Sequence, residues 1–260
     1  MKEKLYTIPL NDAVNAGGEC PLCYVEKKLE EDMLDFTLGP GASYMESDVR
    51  GMTDKEGFCR KHFQQLFDYG NTLGNAWILK THYQQVNREL REQMKKHTGG
   101  GKASIFGKFR KPSGRAEGQE KSDSMAAWVQ EKEASCFICR QERETYARYI
   151  ATFFYLWQKD AAFREKIAQG KGFCLPHFGD LCEAAREALP AGEQEAFYGA
   201  LFPVMERGME RMAEDVAWLV EKFDYQNKDA DWKNSKDAVQ RGMQKLKGGY
   251  PAEGAYRMKK

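Results

Sequence analysis

Six of the seven cysteines and two of the four histidines recur at matching spacing in two parts of the chain. Each part has a Cys-x-x-Cys pair, a gap of 35 or 34 residues, and a Gly-Phe-Cys-x-x-His segment. The second set follows the first by 115 or 116 positions, which indicates an internal duplication. The candidate ligands are Cys20, Cys23, Cys59 and His62 in the first set and Cys136, Cys139, Cys174 and His177 in the second.

These residue types at these spacings are typical of metal binding. Two cysteines three apart turn both sulfurs toward one point, and a cysteine and a histidine at i and i+3 share one face of a helical turn. We expect each repeat to join its own two half-sites into three thiolates and one imidazole, a closed tetrahedral set that suits Zn²⁺. Two Zn²⁺ per chain are therefore expected. Because four protein ligands leave no open position for water, both sites are predicted to be structural and not catalytic.

Other chemistry of the Cys-x-x-Cys pairs is less consistent with the sequence. Cys20-Pro-Leu-Cys23 resembles a dithiol redox motif, but that motif normally lies in a βαβ context and alternating strands are not predicted here. Covalent haem attachment needs a histidine directly after the pair, where this chain has Tyr24 and Arg140. An iron–sulfur cluster with one histidine ligand remains an alternative cofactor. The seventh cysteine, Cys182, is expected to pack as a small apolar residue.

Composition restricts the class of protein. The chain has 260 residues, is 42% hydrophobic and carries a formal net charge of +1. With 15 Phe and 12 Tyr it is too aromatic to be disordered throughout, and its net charge makes no general case for binding nucleic acid or an anionic membrane. The longest apolar run is much shorter than a membrane span, and the first 15 residues lack the apolar segment of a signal peptide. We therefore expect a cytoplasmic protein without a membrane partner.

Helical periodicity of apolar residues and the absence of β-branched alternation predict a mostly α-helical fold. The duplication predicts two zinc-stapled helical modules packed together, at residues 1–97 and 125–225. Residues 98–124 are rich in glycine and lysine, which predicts a flexible linker. Residues 226–260 carry nine Lys and Arg against four acidic residues and are predicted to form a basic tail with a short helix at 235–246.

Several motifs resemble an uncharacterised bacterial family. Its members carry a duplicated CxxC…GFCxxH pattern and are described only as a domain of unknown function. The resemblance covers nearly the whole chain except the linker, which looks like a long insertion. It implies no established activity and no catalytic residues. The segments that carry it include Gly39-Pro40, Tyr44-Met45-Glu46, Asp48-Val49-Arg50, Gly57-Phe58-Cys59-Arg60-Lys61-His62, Lys222-Phe223-Asp224-Tyr225 and Asp231-Trp232.

The closed ligand sets favour a non-enzymatic interaction or adaptor protein whose partner is another protein. No phosphate-binding loop, nucleophile elbow or His-Glu-x-x-His motif is present, so no catalytic residue is predicted, although an enzymatic role stays open. The main alternative is a thiol- or metal-responsive sensor or a metal carrier that uses the same cysteines. Nucleic-acid binding through the basic tail is a further, less favoured alternative.

Overall fold

The computed structural model describes residues 4–99 and 125–258, except for the side chains of residues 4, 98 and 99. Within these residues the chain forms α-helices and no β-strand, which confirms the mostly α-helical prediction. Most of the predicted linker lies outside the described residues. The helices are α1 (Lys4–Asn15), α2 (Pro21–Leu38), α3 (Ser47–Glu56), α4 (Arg60–Tyr69), α5 (Thr72–Gly99), α6 (Met125–Ala134), α7 (Phe137–Lys159), α8 (Ala161–Gln169), α9 (Leu175–Ala188), α10 (Ala191–Glu221) and α11 (Ala238–Lys247), with short 3₁₀ turns at Ser43–Met45 and Tyr225–Asn227.

The described residues fall into two compact units that do not follow the two repeats. One unit comprises residues 1–31 and 142–254, and the other comprises residues 32–141 and 255–260. The division falls inside α2 and α7, so each unit takes residues from both repeats. These units differ from the sequential modules expected at residues 1–97 and 125–225.

The larger unit is built around an aromatic core. Phe153 on α7 is buried at its centre, with the rings of Phe163, Phe173 and Phe197 packed edge-on at centroid distances of 5.4 to 6.4 Å. Edge-to-face packing of this kind stabilises a core beyond the burial of area alone. Because Phe173 directly precedes Cys174, this core holds one of the ligand-bearing segments in place.

The smaller unit has its own core and joins the last described residues of the chain to it. Leu38, Leu66 and Phe137 are fully buried there. The hydroxyls of Tyr69 and Tyr256 each donate a 2.8 Å hydrogen bond to a different carboxylate oxygen of Asp35. Part of the predicted tail is therefore integrated into this unit.

Among the described residues, no helix combines the length with the apolar character that a membrane-spanning helix requires.

Candidate metal centres

All four half-sites are built in the same way at the N-terminus of a helix. The first cysteine of each stands just before the helix, where its backbone carbonyl accepts a hydrogen bond from the amide four residues later. The second ligand lies three positions on, in the first helical turn. Both ligand side chains therefore project at the helix N-terminus, whose dipole favours negatively charged thiolates by about 0.3–1 kcal/mol. The helices concerned are α2 with Cys20 and Cys23, α4 with Cys59 and His62, α7 with Cys136 and Cys139, and α9 with Cys174 and His177.

The larger unit contains the first group of ligands, here named the Cys20 cluster: Cys20, Cys23, Cys174 and His177. His177 Nδ1 lies 3.3, 3.5 and 3.1 Å from the sulfurs of Cys20, Cys23 and Cys174. The sulfurs of Cys23 and Cys174 are 3.7 Å apart. All four residues are buried, so four donor atoms face one another in an enclosed space.

The smaller unit contains the second group, named the Cys59 cluster: Cys59, His62, Cys136 and Cys139. His62 Nδ1 lies 3.3, 3.2 and 3.3 Å from the sulfurs of Cys59, Cys136 and Cys139. The sulfurs of Cys59 and Cys139 are 3.8 Å apart. His62 and Cys136 are buried, whereas Cys59 and Cys139 are partly exposed.

The structure brings together all eight predicted ligands but pairs the half-sites differently from our expectation. Cys20 and Cys23 of the first repeat meet Cys174 and His177 of the second, and the reverse holds for the Cys59 cluster. The expectation that each repeat completes its own site is therefore wrong. The error has a physical reason: residue spacing identifies the half-sites, but a connection of about 35 residues is long enough to let either half-site meet a partner elsewhere in the chain.

In both clusters the donor atoms lie within 4.8 Å of one another, so each can hold a metal ion. All seven cysteines are free thiols.

A family model for a family of unknown function, DUF6062, matches residues 1–253. The chain belongs to this family. No curated protein and no solved structure shows significant similarity to this chain.

A carboxylate lies next to the ring nitrogen of His177 that is not the one near the sulfurs. Oε2 of Glu26, one turn after Cys23 on α2, lies 3.0 Å from His177 Nε2. A carboxylate in this position holds a ligating histidine in the tautomer that presents the other nitrogen to a metal. The ring of Tyr146 lies 5.7 Å from the His177 ring, and its hydroxyl donates to Asp180 at 3.0 Å. Sequence spacing pointed to neither Glu26 nor Tyr146.

The thiols of the Cys59 cluster differ in their affinity for protons. Burial acts to raise the pKa of Cys136, but the hydrogen bond with His62, hydrogen bonds from the backbone of Cys139 and Cys59 and the charge of His62 together outweigh burial and lower the pKa to about 6. Burial and the neighbouring Cys136 raise the pKa of Cys139 to about 12. A metal ion binds thiolates, so it must displace the Cys139 proton when it binds this cluster.

In the Cys20 cluster, burial acts to lower the pKa of His177. Its hydrogen bonds to Cys174, Cys20 and Cys23 outweigh burial and raise the pKa far above the usual range. The protonated histidine must lose its proton before Nδ1 can ligate a metal ion.

The predicted basic tail includes residues that are buried against the larger unit. Helix α11 packs on α9 and α10, and Lys245 is only 1% exposed. Arg241 on the same helix is paired with Asp215 at 2.8 Å and with Asp237 at 2.8 Å. The sequence showed the excess of basic residues but not that Lys245 is buried and Arg241 partly buried.

The remaining cysteine and histidines lie outside both clusters. Cys182 is half-buried against the core of the larger unit, in agreement with its expected packing role, and burial raises its pKa. His82 Nδ1 lies 2.9 Å from the backbone carbonyl of Asp54. Gly57, with φ of +61°, lets the chain pass this ring, because a Cβ there would be 2.7 Å from it. His97 is exposed near the end of α5.

Proposed function

We propose that this chain is a zinc-binding helical protein with two structural Cys₃His zinc sites. The observation that carries the proposal is the geometry of the donor atoms. A tetrahedral zinc site with bonds of about 2.3 Å to sulfur and about 2.0 Å to nitrogen has sulfur–sulfur edges of about 3.8 Å and sulfur–nitrogen edges of about 3.5 Å. One sulfur–sulfur distance in each cluster, Cys23–Cys174 and Cys59–Cys139, is 3.7 and 3.8 Å, and the sulfur–nitrogen distances are 3.1–3.5 Å. The remaining sulfurs lie within 4.8 Å of these donor atoms.

The same distances favour a single ion over an iron–sulfur cluster. In a cluster of two or four irons, ligands are distributed over different metal atoms, which spreads their donor atoms farther apart. Here all four donor atoms of each group lie within 4.8 Å of one another. Three thiolates and one imidazole at tetrahedral spacing suit Zn²⁺ among the common divalent ions.

Metal content tests this proposal directly. Protein purified without added metal should contain two zinc ions per chain and be colourless, whereas brown protein with iron would contradict it. Cys174→Ser removes one ligand of the Cys20 cluster and should reduce the zinc content to one ion. Cys182→Ser is the matched control, because Cys182 belongs to neither cluster, and it should retain two.

We further propose that the zinc-stapled fold is a non-enzymatic adaptor for another protein in the cytoplasm. Free cysteines placed as ligands suit a reducing compartment. Helix α11 presents exposed apolar side chains, Val239, Met243 and Leu246, at the i, i+4 and i+7 positions of one face. Exposed apolar side chains grouped on one face are typical of protein-binding surfaces. Burial of Lys245 leaves fewer cations of the tail for a nucleic acid.

Substitution on this face tests the adaptor role. Met243→Glu places a charge among the apolar side chains and should abolish copurification of a partner that wild-type protein retains. Gln240→Glu adds the same charge at an exposed position of the same helix and should leave the partner bound. Equal effects of the two substitutions, or none, would contradict an interaction through this face.

The partial exposure of Cys59 and Cys139 favours a second candidate function, a peroxide-responsive metal switch. Their thiolates, 3.8 Å apart, would reduce one hydrogen peroxide, forming one disulfide and two hydroxide ions and releasing the metal. Stoichiometric zinc release by mild peroxide, with a Cys59–Cys139 disulfide found by mass spectrometry, would support this function. Zinc that stays bound until the protein unfolds would exclude it.

A further inference from the structure

The buried ammonium of Lys245 joins the two chain segments that deliver ligands to the Cys20 cluster. Its Nζ donates to the backbone carbonyl of Glu19 at 2.9 Å and to that of Lys171 at 2.5 Å. Glu19 immediately precedes Cys20, and Lys171 lies three residues before Cys174. One side chain on α11 therefore fixes the distance between the two half-sites of this cluster.

The charge of Lys245 is compensated within the fold, which keeps the link in place. The carboxylate of Glu19, itself 3% exposed, lies 3.5 Å from Lys245 Nζ and is also paired with Arg211 and Arg241. Separating such a pair is costly, because the ammonium of Lys245 would be left as a buried charge without its carboxylate partner.

The end of α11 also lies against the sulfurs of the Cys20 cluster. Gly248, which ends the helix with φ of +77°, is so close that a Cβ there would be 3.6 Å from the sulfur of Cys174 and 3.7 Å from that of Cys23. Helix α11 thus contributes a contact that restricts access to the cluster. All four ligands of this cluster are buried, whereas two ligands of the Cys59 cluster are partly exposed.

We propose that α11 closes the Cys20 cluster, with Lys245 as a positioning residue, so that metal leaves this cluster more slowly than it leaves the Cys59 cluster. This inference rests on the metal binding proposed above. It assigns the C-terminal helix a role in metal retention in addition to its exposed apolar face.

Release of zinc to a colorimetric chelator tests the proposal. Wild-type protein should release its two ions in two phases, with the slow phase belonging to the Cys20 cluster. Lys245→Met removes the ammonium donors and keeps an unbranched side chain one atom shorter. It should accelerate the slow phase by about tenfold or more, since loss of outer-shell support weakens metal affinity by about that factor at other sites. The fast phase and the helical content should not change, which distinguishes a positioning role from general destabilisation.

Lys247→Met is the matched control, because Lys247 is exposed on the same helix and should leave both phases unchanged. An unchanged slow phase in Lys245→Met would overturn the proposal. If that variant does not fold, Lys245→Gln, which keeps one donor group, is measured in the same way. Protein that contains no metal would refute the proposed zinc sites. Two bound zinc ions whose release does not depend on Lys245 would refute only the role of Lys245.

Alkylation of wild-type protein during chelation assigns the phases without any substitution. Mass spectrometry should show that Cys59, Cys136 and Cys139 become modified first. The cysteines of the Cys20 cluster should follow with the slow phase. The reverse order would overturn the proposal.

Discussion

The cross-repeat pairing of the half-sites can be tested by combining cysteine substitutions two at a time. Cys59 and Cys139 share a cluster, with their sulfurs 3.8 Å apart, whereas Cys59 and Cys23 lie in different clusters. Cys59→Ala with Cys139→Ala should therefore leave one zinc ion per chain. Cys59→Ala with Cys23→Ala should leave none. Pairing within repeats predicts the opposite result for each double variant, so zinc content measured by mass spectrometry discriminates between the two arrangements.

The free energies of unfolding of the same variants test the pairing of the half-sites independently. Binding of a structural zinc ion contributes on the order of 10 kcal/mol, which is comparable to the total stability of a domain. Once Cys59→Ala has removed that contribution, Cys139→Ala in the same cluster should cost little more. Cys23→Ala should cost about as much as the first substitution, because it affects a second ion. The two double variants should thus differ by several kcal/mol in denaturant unfolding, with strong non-additivity only for the pair that shares a cluster.

If a double variant is insoluble, thiol labelling of wild-type protein tests the pairing of the half-sites instead. When a chelator has removed one ion, the thiols that become reactive together should be Cys59, Cys136 and Cys139. Joint labelling of Cys20, Cys23 and Cys59 would refute the pairing and the reasoning built on it.

Two further predictions concern the surroundings of the Cys20 cluster. Gly208→Ala should lower the free energy of unfolding by about 1–3 kcal/mol, because its Cβ would lie 2.4 Å from the carbonyl oxygen of Lys171. Gly199→Ala on the same helix is the control. Its Cβ would meet nothing within 4 Å, so this substitution should raise the free energy of unfolding by about 0.5–1 kcal/mol. Chemical denaturation measures both, and equal effects would contradict the close approach at Gly208. Glu26→Gln removes the charge behind His177 and should weaken zinc binding at this cluster about tenfold in a competition titration, with the other cluster as internal control. Equal losses of affinity at both clusters would show that the effect is not transmitted through His177.

Local spacing was sufficient to predict the helical class and the eight residues that form the two clusters. Cys59 and His62 stand at i and i+3, and the structure places them before and in the first turn of α4, as helical geometry requires. Helix α2 ends at Leu38, directly before Gly39-Pro40, a dipeptide that is typical of the residues following a helix. Such features depend on neighbours in the sequence, and they could be predicted because the relevant interactions span only a few residues.

The supporting residues could not be predicted in this way. Glu19 and Lys245 are separated by 226 positions, and nothing in their spacing relates them. In the sequence, Lys245 is one of many basic residues near the C-terminus and is indistinguishable from the exposed Lys247. Only packing of α11 on α9 and α10 buries the first and leaves the second in solvent.

The sequence by itself determined which eight side chains can act as ligands, because each half-site is a single helical turn whose geometry is local. Only the tertiary structure decided that Cys20 and Cys23 meet Cys174 and His177, across the duplication. The two repeats carry equivalent half-sites, so either pairing satisfies the same coordination chemistry. The choice between them is made by long-range packing of the cores around the half-sites, which residue spacing does not encode.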